Sequence, residues 1–212
     1  MPYAISHRYY KIALFITGLV PLLWLATHDF GANPIERITH FTGDWALRFL
    51  LLSLAITPAR RLFGWNALIG YRRMLGLFAF FYAVLHLSTF VVLDHYFDWS
   101  EMVADVYKRP YVTAGMTAFA CLLPLAITST RGWIRRLGRR WTQLHRLVYV
   151  AAVAAVVHYW WLVKADVAAP RRYAILFAVL LGVRVVYALR GGRAALLASR
   201  KSPAISEAGT GR

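Results

Sequence analysis

Two of the seven histidines in this 212-residue chain lie inside long apolar runs. His86 stands twelve residues after Met74, and His158 stands thirteen after His145. At 1.5 Å of rise per helical residue these intervals are roughly 18 and 20 Å. If both runs are spans crossing a bilayer in the same direction, the two imidazoles share one depth. An ionisable side chain at membrane depth is costly unless it serves a site or finds a partner. The plain alternative is a hydrogen bond between helices, and for one histidine that reading suffices. Two at matched depth can instead grip an iron from opposite sides, the axial arrangement of a haem. Phe78, Phe80, Phe81 and Tyr82 precede His86, and Tyr159, Trp160 and Trp161 follow His158. Such aromatics suit a haem pocket, but they also suit the interfacial belt of a membrane protein.

Three further residues are candidates for the same chemistry. His145 begins the run that holds His158, but thirteen residues at about 100° each leave the two roughly 140° apart around an ideal helix. It could ligate a second haem with an unusual partner, contact a flavin or quinone, or cap its helix. Arg48 is placed about one turn inside its span, where it could pair with haem propionates or snorkel to the interface. Arg72 opens the run that leads to His86, at a place where a second inner ligand would be wanted and no histidine stands. His7, His28, His40 and His95 fall in terminal or loop segments and read as ordinary interfacial histidines.

The elements that must position these residues are membrane helices. Hydrophobic residues make up 59% of the chain and charged ones 16%, too few charges for a soluble domain of this size. Six apolar segments stand out, at 12–27, 45–57, 74–93, 111–128, 147–163 and 173–189. The first follows Arg8 and Lys11 and resembles a signal peptide, but no small-residue cleavage site follows it, so we read it as a retained span. The second is short for a crossing, and its helix is expected to begin earlier, with Asn33 as cap and Pro34 in the first turn. Pro21 and Pro124 inside spans one and four imply kinks. We see no internal repeat at a fixed period. The fold class expected is all-α integral membrane, a six-transmembrane-helix haem-binding bundle over residues 1–190, with a flexible tail from 191 to 212.

Charge sets the orientation. Most of the 25 basic residues lie at the termini and on even-numbered loops, giving a net charge of +16. Asp29, Glu36, Asp44, Asp94, Asp98, Glu101, Asp105 and Asp166 lie on the other side, leaving Glu207 as the ninth acid. Basic loops mark the cytoplasmic face, so both termini are expected there, and nucleic-acid binding is not implied. The basic rim also suits anionic membrane lipid. The single cysteine, Cys121, excludes an internal disulfide, a CxxC pair and an iron–sulfur cluster. Any redox chemistry must come from a bound cofactor.

Four stretches carry a family resemblance: NPIERITHFTGDWALRFLLLSLAITPARR (33–61), GYRRMLGLFAFFYAVLH (70–86), TSTRGWIRRLGRRWTQLHRLVY (128–149) and HYWWLVK (158–164). Over about residues 8–190 the chain resembles the haem-binding membrane subunit of the bacterial periplasmic methionine sulfoxide reductase system, the MsrQ type, within the ferric-reductase-like transmembrane superfamily. The resemblance implies a b-type haem protein of the bacterial inner membrane. It would carry electrons from the quinone pool, or from a cytoplasmic flavin reductase, to a periplasmic molybdopterin-dependent methionine sulfoxide reductase catalytic subunit. It also implies FMN, and it maps the haem histidines onto His86, His158 and His145. In the wider superfamily span three carries two histidines fourteen apart. Here Arg72 takes the place of the first, which leaves an inner haem without its usual second ligand, so one haem b or two remain open. The competing readings are a stand-alone ferric or oxygen reductase cytochrome, and a transporter or structural bundle without haem.

Overall fold

A computed structural model describes residues 2–28, 31–163 and 167–201, with side chains over 8–190 of these. It contains no strand among the described residues. Helix α1 spans Pro2–Thr27, α2 Pro34–Phe63, α3 Arg72–Ser88, α4 Trp99–Lys108 and α5 Pro110–Ile127. They are followed by α6 Arg131–Leu137, α7 Arg139–Leu144, α8 Leu147–Leu162 and α9 Ala168–Lys201. A short 3-10 segment, Asn66–Tyr71, leads into α3, and a π-helical segment, Thr89–Asp94, continues it.

Local chemistry explains the boundaries. Helix α2 begins at Pro34, as its fixed φ favours. Asn33 does not cap it, however: its Nδ2 donates to Glu36 Oε2 at 2.6 Å. Gly64 ends α2 in the left-handed region, φ 70°, returning its N–H to the Arg60 carbonyl. Pro110 opens α5 in the same way as Pro34 opens α2. Pro21 and Pro124 lie within continuous helices. The α4 helix lies where a plain loop was expected. Asp98 caps it by accepting from the Ser100 and Glu101 amides, and the Ser100 hydroxyl bond helps hold its carboxyl below the usual range.

Among the described residues four segments are long and apolar enough to cross a membrane: Arg8–Thr27, Asn66–Asp94, Pro110–Ile127 and Ala168–Arg190. The chain is therefore read as a multi-pass membrane protein. Helix α8 has only 16 residues, just under the usual crossing length. The 30-residue α2 carries Glu36, Arg37, Asp44 and Arg48. Both nevertheless belong to the core, because α2 packs mainly on α3 and α8 mainly on α5. The two pairs share one apolar core that includes Leu50, Leu54, Phe78, Tyr82, Leu122 and Val156. Ala79 and Ala151 are completely buried, and their small side chains allow the close helix approach that membrane bundles use.

Arg184, inside α9, donates to Tyr149 Oη at 2.6 Å and to the Leu54 carbonyl, while its buried Nε has no hydrogen-bond partner among the described residues. The backbone of α9 runs past residue 190 to Lys201. The rest of the expected tail, 202–212, lies outside the described residues, as do Asp29 and Asp166 of the acidic loops.

Candidate functional site

Helices α2, α3, α5 and α8 enclose a cavity of about 640 Å³. The His86 and His158 rings both line it, with centroids 5.9 Å apart and planes at 75°. His86 Nδ1 lies 2.9 Å from the Thr39 carbonyl oxygen, and His158 Nδ1 lies 2.6 Å from that of Tyr111. A carbonyl only accepts, so each Nδ1 carries the proton and donates. In the neutral imidazole that fixes the tautomer and leaves Nε2 as the lone-pair nitrogen, the form in which a histidine binds metal. Neither Nε2 makes a hydrogen bond among the described residues.

The spacing suits two ligands on one metal. With metal–imidazole bonds of about 2 Å and about 1 Å more to each ring centre, two imidazoles that held one metal would have ring centres no more than roughly 6 Å apart. The cavity wall is mainly apolar, with Ala83, Leu87, Phe119 and Leu122 among its residues. Its mouth is polar, lined by Asn33, Glu36, His40, Asp94, Glu101 and Arg109. The apolar wall would suit the body of a planar macrocycle.

At the mouth, buried Asp105 of α4 holds both His95 Nε2 and Arg109 at 3.2 Å. The His95 Nδ1 donates to the Phe90 carbonyl at 3.1 Å. Before α4, Tyr96 and Phe97 take positive φ values of 46° and 65°, rare for bulky residues. This turn sets His95 beneath α4 while the Tyr96 and Phe97 side chains stay exposed.

The other candidates are not brought to this cavity. His145 stacks on Trp141 with centroids 3.8 Å apart, and its Nδ1 bonds the Trp141 carbonyl. Its Nε2 is buried with no hydrogen-bond partner among the described residues. Arg72 is close enough to act on it electrostatically. Arg48 does not line the cavity. Its guanidinium bonds Tyr173 Oη at 2.9 Å and Asp44 at 3.2 Å and lies over Trp45.

The structure also corrects the sequence reading that found no repeat. Cavity-wall positions recur at an offset of 72 residues: Thr39 and Tyr111, Gly43 and Gly115, Leu50 and Leu122, Ala83 and Ala155, His86 and His158. Helices α2 and α3 thus form one copy of a unit that α5 and α8 repeat. Deeper in α2 and α5, LLSLAIT (51–57) matches LLPLAIT (122–128) with the register slipped by one residue. Carbonyl partners and glycines carry no titratable group, so residue type alone does not mark them in the sequence. The 72-residue offset was the available signal.

Residues 42–156 match the family described as ferric reductase like transmembrane component. A protein of Herminiimonas arsenicoxydans is 56% identical over 185 residues, covering 84% of this chain and 85% of its own. One from Rhodospirillum rubrum is 53% identical over 188 residues, covering 86% and 90%. One from Xanthomonas euvesicatoria pv. vesicatoria is 50% identical over 183 residues, covering 86% and 84%. Each bears the name protein-methionine-sulfoxide reductase heme-binding subunit MsrQ. No solved structure matches. With this identity over most of its length, the chain belongs to the MsrQ family of ferric-reductase-like transmembrane components.

Proposed function

We propose that this chain is a b-type haem electron-transfer subunit of the bacterial inner membrane. In this reading it supplies a periplasmic molybdopterin-dependent methionine sulfoxide reductase and so serves repair of oxidised envelope proteins. The observation that carries the proposal is the paired imidazoles, each with Nδ1 tied to a carbonyl and Nε2 left for the cavity. Bound there, haem would supply one-electron chemistry. His86 and His158 would hold it, and the apolar wall would exclude water. Six spans with both termini cytoplasmic put the acidic mouth on the periplasmic side, facing the partner. The names of the relatives support the haem and the reductase system.

Electrons enter from the quinone pool or a cytoplasmic flavin reductase, with FMN at or near the opposite end. His145 belongs to that end: its orphaned Nε2 is the group a flavin, quinone or second haem would engage, with Arg72 beside it. His145→Ala is expected to preserve the low-spin haem spectrum while slowing reduction from the cytoplasmic side about tenfold or more, as for loss of a positioned polar contact. Stopped-flow reduction in oriented vesicles checks this, and loss of all haem in the variant would show that His145 is a ligand of the main site.

The test of the whole reading is a reduced-minus-oxidised spectrum with pyridine haemochrome quantitation per chain. One haem b per chain supports the His86–His158 site alone, and two would make His145 a ligand of a second. No haem from haem-replete cells ends the proposal. The acid-lined mouth also favours a second reading, a stand-alone reductase of ferric iron, which predicts turnover without any partner protein.

A further inference from the structure

We infer that Gly43 and Gly115 are the paired positioning residues of the two cavity histidines, each the surface against which one imidazole is set. The inference rests on the haem reading above. A Cβ on Gly43 would lie 3.0 Å from both Nδ1 and Cε1 of His86. On Gly115 it would lie 2.9 Å from Nδ1 and 3.0 Å from Cε1 of His158. Carbon contacts are comfortable at about 3.5–4.0 Å, so either Cβ pushes its ring away.

The rings are not free to yield. Each Nδ1 is bonded to a carbonyl on the same helix as the glycine, one turn earlier: Thr39 before Gly43, Tyr111 before Gly115. A displaced ring must stretch that bond or turn its Nε2 off line. Glycine and carbonyl together therefore define the ring's position, the glycine by contact and the carbonyl by direction. The same device occurs in both copies of the 72-residue unit, at corresponding positions. The copies differ in what surrounds it. One turn or less from Gly43 stand His40 and Asp44, whereas Gly115 has Val112 and Met116 at the matching places.

Other glycines separate this role from ordinary packing. A Cβ on Gly18 would meet the Phe78 ring at 2.4 Å, a harder clash with no histidine involved. A Cβ on Gly182 would meet nothing within 4 Å.

The test compares Gly43→Ala, Gly115→Ala, Gly18→Ala and Gly182→Ala, each purified in detergent, by oxidised and reduced spectra, haem content, carbon monoxide binding and reduction potential. Both site variants are expected to lose most of the low-spin signature and gain a carbon-monoxide-reactive high-spin fraction, or to retain several-fold less haem. Gly18→Ala should lower yield and thermal midpoint yet keep the wild-type spectrum, and Gly182→Ala should match wild type. Accumulation of Gly18→Ala without either site variant also supports the assignment, because the milder clash then has the larger effect. Wild-type spectra in both site variants overturn it, as does equal failure of all three crowded variants to accumulate. A wild-type protein without haem overturns the haem reading and this inference with it, whereas wild-type haem with undisturbed glycine variants overturns this inference alone.

Discussion

In the purified protein His86→Ala and His158→Ala are each expected to abolish the low-spin spectrum of the proposed haem. This is the largest effect expected from any single substitution here. The two rings stand 5.9 Å apart, and in the proposed site removing either would leave only one imidazole to hold the haem. The remaining imidazole keeps its carbonyl bond, so the fold of its own helix pair is preserved. Residual haem should be high-spin and reactive with carbon monoxide. Disturbing only the orienting carbonyl geometry should cost less, on the order of the 10–100-fold that lost outer partners cost metal sites. A normal spectrum in either variant would refute the pairing, and it would be read by visible absorption in one preparation.

The second large effect is expected at Asp105. This carboxylate is buried and holds His95 and Arg109 at once. Asp105→Ala leaves His95 Nε2 without its acceptor and frees Arg109 from α4. Breaking a buried pair costs about 3–5 kcal/mol, and about 3 kcal/mol is expected here because half the Arg109 side chain is already in solvent. The loss should be local. Amide exchange across 99–108 should accelerate, while α5 stays protected apart from its first turn. Asp105→Asn, which keeps an acceptor for His95, should lie between the two. Unchanged exchange in α4 after Asp105→Ala would show that Met102 and the other apolar contacts, not the ion pair, hold this helix over the mouth.

The α4 helix shows how much of such a region is legible. Its cap, Asp98 before Ser100 and Glu101, was present in the sequence, and Met102 and Asp105 share one face three residues apart. A ten-residue amphipathic helix is too short to be a span, so hydropathy alone does not register it. The 72-residue repeat was missed for a related reason. Its strongest matches are small residues and ligands, Gly43 with Gly115 and His86 with His158, whose likeness acquires meaning only when they line one wall.

By itself the sequence determined the class of the molecule, the apolar runs and the two histidines at matched depth, because hydropathy and helical rise are properties of the chain alone. It also carried the family resemblance. It could not determine azimuth. Whether a side chain points at a partner, at a carbonyl or at lipid depends on how helices roll against one another, and that is set by packing. Only the tertiary structure therefore decided that His86 and His158 converge, that Arg48 turns instead to Asp44 and Tyr173, and that His145 stacks on Trp141 away from the cavity. Only there do two glycines distant in sequence become the seats of two imidazoles, since a missing Cβ matters only where another atom approaches it.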